Sequence, residues 1–75
     1  MKKFQAGKTY RTRFIGDADS VLDVKVVKRT PKRITVDAEP FGVRTVGIIV
    51  IDGEETAFPT GRYAKAPTIR ASYMI

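Results

Sequence analysis

The residues with the clearest chemical purpose in this 75-residue chain are cations, set in three groups. Lys28-Arg29-Thr30-Pro31-Lys32-Arg33 places four positive charges around one proline turn. Arg11 and Arg13 alternate with Tyr10, Thr12 and Phe14, and on a strand this two-residue spacing puts both guanidiniums on one face. Gly61-Arg62-Tyr63-Ala64-Lys65-Ala66-Pro67 joins two cations to an aromatic and has no apolar periodicity to hold it in a core. Arg and Tyr are the residue types enriched at binding hot spots. Fixed cations meet phosphate oxygens, so the candidate nucleic-acid-binding residues are Arg11, Arg13, Lys28, Arg29, Lys32, Arg33, Arg62, Tyr63 and Lys65. The plainer alternatives are a solvated, lysine-protected sheet edge and a 3₁₀ turn with Tyr63 packed back as a plug. Tyr10, Phe41 and Tyr63 are the aromatics beside these cations. Tyr10 and Phe14 share the apolar phase of their strand, which assigns them to the core ahead of a base-stacking platform.

Catalytic chemistry is nearly absent from the composition. There is no His and no Cys, which removes the usual general base, the most reactive nucleophile and the thiolate metal ligands together. Ser20 and Ser72 have no partner base in the local sequence. Lysine nucleophiles need burial to lower their pKa, and every Lys here lies in polar or outward-alternating context. The acidic groups Asp17-x-Asp19 and Asp52-x-Glu54-Glu55 supply too few oxygens for calcium, and turn chemistry accounts for Asp17, Asp19 and Asp52. The chain is therefore expected to be no enzyme, to hold no metal and to use no cofactor.

The net charge of +6 is unevenly spread. Residues 1–33 hold ten of the fourteen bases and three of the eight acids, a net +7 that leaves −1 for residues 34–75. A concentrated positive field suits a polyanion such as DNA, RNA or a nucleotide. The length fits one domain over residues 1–75 with a thin core. Absent disulfides favour a reducing compartment, no apolar run approaches a membrane span, and Met1-Lys2-Lys3 leads into no signal-peptide core, so the expected location is cytoplasmic.

The elements that must carry these groups are strands. Period-two alternation with β-branched residues runs through 8–15, 21–29 and 33–38. The polar stretch Gly16–Ser20 is expected to break the first two of these strands, and Thr30-Pro31-Lys32 to turn the second into the third. The best register of that hairpin opposes Val26 to Val36, Lys25 to Asp37 and Arg29 to Arg33, a like-charge cost at the tip. Glu39-Pro40-Phe41-Gly42 is a further break. The apolar run from Val43 to Ile51 reads as a strand covered on both sides or one bending between sheets, with Gly47 as the bend. Asp52-Gly53 signals a two-residue type I′ hairpin. Residues 54–58 return, Pro59-Thr60-Gly61 stops them, and 68–75 form a last strand. The expected fold is all-β, a five- to six-stranded twisted meander or small barrel of SH3-like or OB-like type.

Four segments carry a resemblance: Phe4-x-Ala6-Gly7-Lys8-x-Tyr10; Lys28-Arg29-Thr30-x-Lys32 leading into Ile34-Thr35-Val36; Asp52-Gly53-x-Glu55; and Gly61-x-Tyr63-x-x-Ala66-Pro67. Together they resemble a group of short proteins encoded by bacteriophages and mobile elements, mostly of Gram-positive bacteria. The resemblance implies a genomic context and assigns no site. Members of the group often carry a cysteine before the acidic loop, where this chain has Ile15-Gly16-Asp17, so no thiol role transfers. The context implies either a DNA-, RNA- or nucleotide-binding accessory protein, or an anti-defence inhibitor of anti-CRISPR type that binds a host nuclease complex. The basic surface argues against DNA mimicry.

Overall fold

Alternation of buried and exposed side chains builds this fold strand by strand. The computed structural model describes residues 1–14, 17–38, 41–64 and 66–75, and only the backbone of residues 17–19. Thr9–Phe14 (β1) buries Tyr10 and Thr12 and exposes Arg11 and Arg13. Asp17–Arg29 (β2) buries Leu22, Val24 and Val26, and Arg33–Ala38 (β3) buries Ile34, Val36 and Ala38. Gly42–Gly47 (β4), Ile49–Ile51 (β5), Glu54–Ala57 (β6) and Ile69–Arg70 (β7) follow, with a 3₁₀ turn at Ala71–Tyr73. These strands pair antiparallel with one another, in a four-stranded sheet ordered β1-β2-β3-β4 and a three-stranded sheet ordered β5-β6-β7. The core lies between the sheets, where Tyr10 and Phe4 meet edge to face at 5.1 Å among Val24, Val26, Ile34, Val36 and Ile69.

Val43–Ile51 is the strand that bends between sheets. It is not covered on both sides: Val43 is 65% exposed. The residue that leaves the ladder is Ile48, one place after Gly47, and its amide donates to the Lys32 carbonyl at 2.8 Å. Asp52 and Gly53 then turn the chain with φ of 53° and 76°, the left-handed pair that a type I′ hairpin requires.

Several expectations are corrected. The polar stretch before Val21 does not interrupt β2 from Asp17 onward. Arg13 pairs with Val21 while Phe14 pairs with Asp17, so the ladder absorbs the intervening residues as an irregularity. Ile15, Gly16, Glu39 and Pro40 lie outside the described residues, and so do the turns expected there. The last strand shrinks to Ile69–Arg70, because the amide and hydroxyl of Ser72 both donate to Glu54, at 3.0 and 2.7 Å, and hold the 3₁₀ turn. What remains of the chain end meets β1 at one isolated backbone bridge, Tyr10 to Met74, and through the Thr12 hydroxyl, which donates to the Thr68 carbonyl at 2.8 Å. A single bridge is no ladder, and the two sheets do not close into a barrel. Among the described residues, no helix is long and apolar enough to cross a membrane.

Candidate nucleic-acid interface

The outer face of the four-stranded sheet collects four of the eight predicted cations, Arg11, Arg13, Lys28 and Arg33, together with Lys25. Register places Arg13 beside Val21, Arg11 beside Asp23, Lys25 between Thr9 and Asp37, Lys28 beside Thr35, and Arg33 beside Gly47. Cross-strand partners share a face, so these side chains form successive rows on the side away from the core. Arg11 is engaged: its Nε and Nη2 donate to the two Asp23 carboxylate oxygens at 2.7 and 3.0 Å, and those hydrogen bonds hold Asp23 below the usual carboxylate range. Arg13 is exposed and also has a partner.

A bulge decides the rest. Val26 opposes Val36 and Lys25 opposes Asp37, as the alternation requires, but Lys28 then opposes Thr35 and Arg29 opposes Ile34. Val27 is the extra residue, and one inserted residue reverses the phase of everything beyond it. Lys28 is thereby turned outward and Arg29 inward, and the expected Arg29–Arg33 opposition does not occur. The Arg29 guanidinium donates to both carboxylate oxygens of Glu55 and to the Phe4 carbonyl. Arg29 thus has a structural partner that alternation along the chain did not indicate. The turn itself is held at both ends: Thr30 N–H donates to the Arg33 carbonyl at 2.8 Å, and Ile48 N–H to that of Lys32.

Beyond the bulge, Lys28, Thr30, Arg33, Thr35 and Thr45, with part of Arg29, line a depression of about 210 Å³. The Thr35 and Thr45 hydroxyls are hydrogen-bonded at 2.9 Å across β3 and β4. No carboxylate belongs to this lining, and Lys28, Lys32 and Arg33 form no salt bridge with any described residue. The Lys28 ammonium, the Arg33 guanidinium and the one O–H that the Thr35–Thr45 hydrogen bond leaves over are donors suited to an oxyanion. The hollow itself has no aromatic in its lining, whereas Tyr73 lines a separate depression beside Arg11 and Arg13.

The third predicted group lies at the edge of β4. Arg62 rests over the Phe58 ring, 5.1 Å from its centroid. Tyr63 is 56% exposed, so it is no plug, and its hydroxyl bonds that of Thr60 at 2.9 Å. Lys65 lies outside the described residues. Arg44 is a cation that reading the chain overlooked, because it interrupts an apolar run. The structure brings its guanidinium to Gly61, 3.7 Å from where a Cβ there would stand. Among the described residues, no group of three or more carboxylates is placed to hold a metal. No family model matches this chain, and no curated protein or solved structure matches it.

Proposed function

We propose that this protein is a non-catalytic nucleic-acid-binding module, an accessory protein of a phage or mobile element, that grips phosphates across the outer face of β1–β4. The observation that carries this reading is the carboxylate-free hollow in which Lys28 and Arg33 flank the paired hydroxyls of Thr35 and Thr45. Lys32 at the adjoining turn and Lys25 one row away extend the positive field, with Arg11 and Arg13 beyond them. Titration of a labelled oligonucleotide at several salt concentrations tests it. Each lost phosphate contact lowers the slope of log K against log salt by about 0.7 to 0.9, so Lys28→Glu with Arg33→Glu should flatten it by roughly two such steps. Arg70→Glu, on the other sheet, should change it little. An absence of binding to any oligonucleotide or nucleotide at low salt overturns the reading.

A second reading, docking on a host protein, rests on the β4 edge. The Ile48 to Lys32 hydrogen bond sets the alternation, so Val43, Thr45 and Gly47 point their backbone groups away from β3. An exposed edge carrying Val43 is a template for strand addition. Binding to a partner along this edge would depend only weakly on salt and would be lost on Thr45→Pro.

A further inference from the structure

Gly47 belongs to two places at once. On β4 it is the cross-strand neighbour of Arg33, in the basic hollow's row of the sheet. It also lines a separate cavity of about 300 Å³ with Val46, Phe58, Gly61 and Arg62. That cavity lies between the free edge of β4 and the turn after β6, which is closed by the Gly61 amide donating to the Phe58 carbonyl at 3.1 Å. Val46 and Phe58 supply apolar walls. Gly47 contributes no side chain, the Arg62 guanidinium lies over the Phe58 ring as part of the wall, and the Arg44 guanidinium borders Gly61. No carboxylate lines it.

An apolar slot with a guanidinium plane in its wall and another beside it suits a flat heteroaromatic ring joined to a phosphate. Unstacked bases of single strands are held in this way, on aromatic rings and on Arg guanidinium planes. We propose that this slot receives one nucleobase of a single-stranded segment, while an adjoining phosphate rests on Arg33 and Lys28. Arg33 and Gly47 are cross-strand neighbours, so the hollow and the slot adjoin across the free edge of β4, the hollow on its outer face and Val46 on its inner one. The inference rests on the nucleic-acid reading and adds to it the class of ligand: a single strand with at least one base free of its stack, in preference to a duplex.

The test uses the whole chain and three probes of equal length: an ordinary single strand, the same strand with abasic positions at its centre, and a duplex. The ordinary strand should bind roughly tenfold more tightly than the abasic one, the scale of one stacked base, with the same salt slope because no phosphate is lost. The duplex should bind more weakly than the ordinary strand. Phe58→Leu, checked for folding by its thermal transition, should bring the ordinary strand down to the affinity of the abasic one and leave the abasic affinity unchanged. If the abasic strand or the duplex binds as well as the ordinary strand, the slot is overturned and phosphate binding stands. If none of the three binds at low salt, the nucleic-acid reading falls and the slot falls with it.

Discussion

Arg29 and Glu55 form an ion pair that ties the two sheets together. Arg29 Nη2 donates to Glu55 Oε2 at 2.9 Å, and Nη1 donates to Oε1 and, at 2.9 Å, to the Phe4 carbonyl. The Phe4 amide returns a hydrogen bond to Oε1 at 2.8 Å. Three segments distant in sequence, β2, β6 and the N-terminal stretch, thus meet on one carboxylate that is 4% exposed. Burial works to raise the Glu55 carboxyl; the hydrogen bonds from Arg29 and Phe4 outweigh it and hold the group below its usual range. Among the described residues no buried side-chain polar atom lacks a partner.

Removing the cation leaves that carboxylate buried without its counter-charge. Arg29→Ala should destabilise the domain by about 3–5 kcal/mol, nearer the lower figure because the guanidinium is partly exposed. Arg29→Met combined with Glu55→Gln should be less harmful than either change alone. Urea unfolding followed by circular dichroism measures both, and an unchanged midpoint for Arg29→Ala would show that the pair contributes nothing.

The same pair sets the response to acid. The folded pKa of Glu55 is depressed from its ordinary 4.5, so its contribution is complete above that value and is lost as pH falls through the lower, folded one. Stability should therefore decline on the acid side of about pH 4.5. Glu55→Gln should remove part of that slope. The remainder belongs to groups such as Glu54, held low by Ser72, and Asp23, held low by Arg11. A variant with the full acid slope would contradict the assignment.

Arg11 and Asp23 provide the contrast. Their side chains are 51% and 45% exposed, and solvent screening leaves such a pair little net effect on stability. Asp23→Asn should leave the unfolding midpoint almost unmoved. It should also strengthen oligonucleotide binding at low salt, since it removes a carboxylate from the basic face. Weaker binding by this variant would count against that face as the site.

Gly53 stands at φ 76° as the second residue of the Asp52-Gly53 turn. A β-branched side chain meets a steric penalty there, so Gly53→Val should cost roughly 1–3 kcal/mol. The denaturant midpoint should fall and the slope stay constant, because the same surface is exposed on unfolding. An unmoved midpoint would mean that the turn tolerates the side chain without strain.

Much of this architecture follows from the chain alone. Side chains two residues apart share a face of a strand, so Tyr10 and Thr12, Leu22, Val24 and Val26, and Ile34 and Val36 go inside whatever the final fold. The matching of Val26 to Val36 and of Lys25 to Asp37 follows from the same constraint, and Asp52-Gly53 specifies its own backbone. Tertiary structure alone decided which cations are free. Nothing local marks Val27 as an extra residue. The shifted register turns Arg29 toward Glu55, a carboxylate that lies 26 positions away on the other sheet. The slot at Phe58 has the same origin: Gly47 and Arg62 become neighbours only when β4 passes from sheet to sheet and the turn after β6 folds back along its edge. Alternation is a property of adjacent residues, whereas the balance between burying a charge and pairing it depends on residues that only the folded chain brings together.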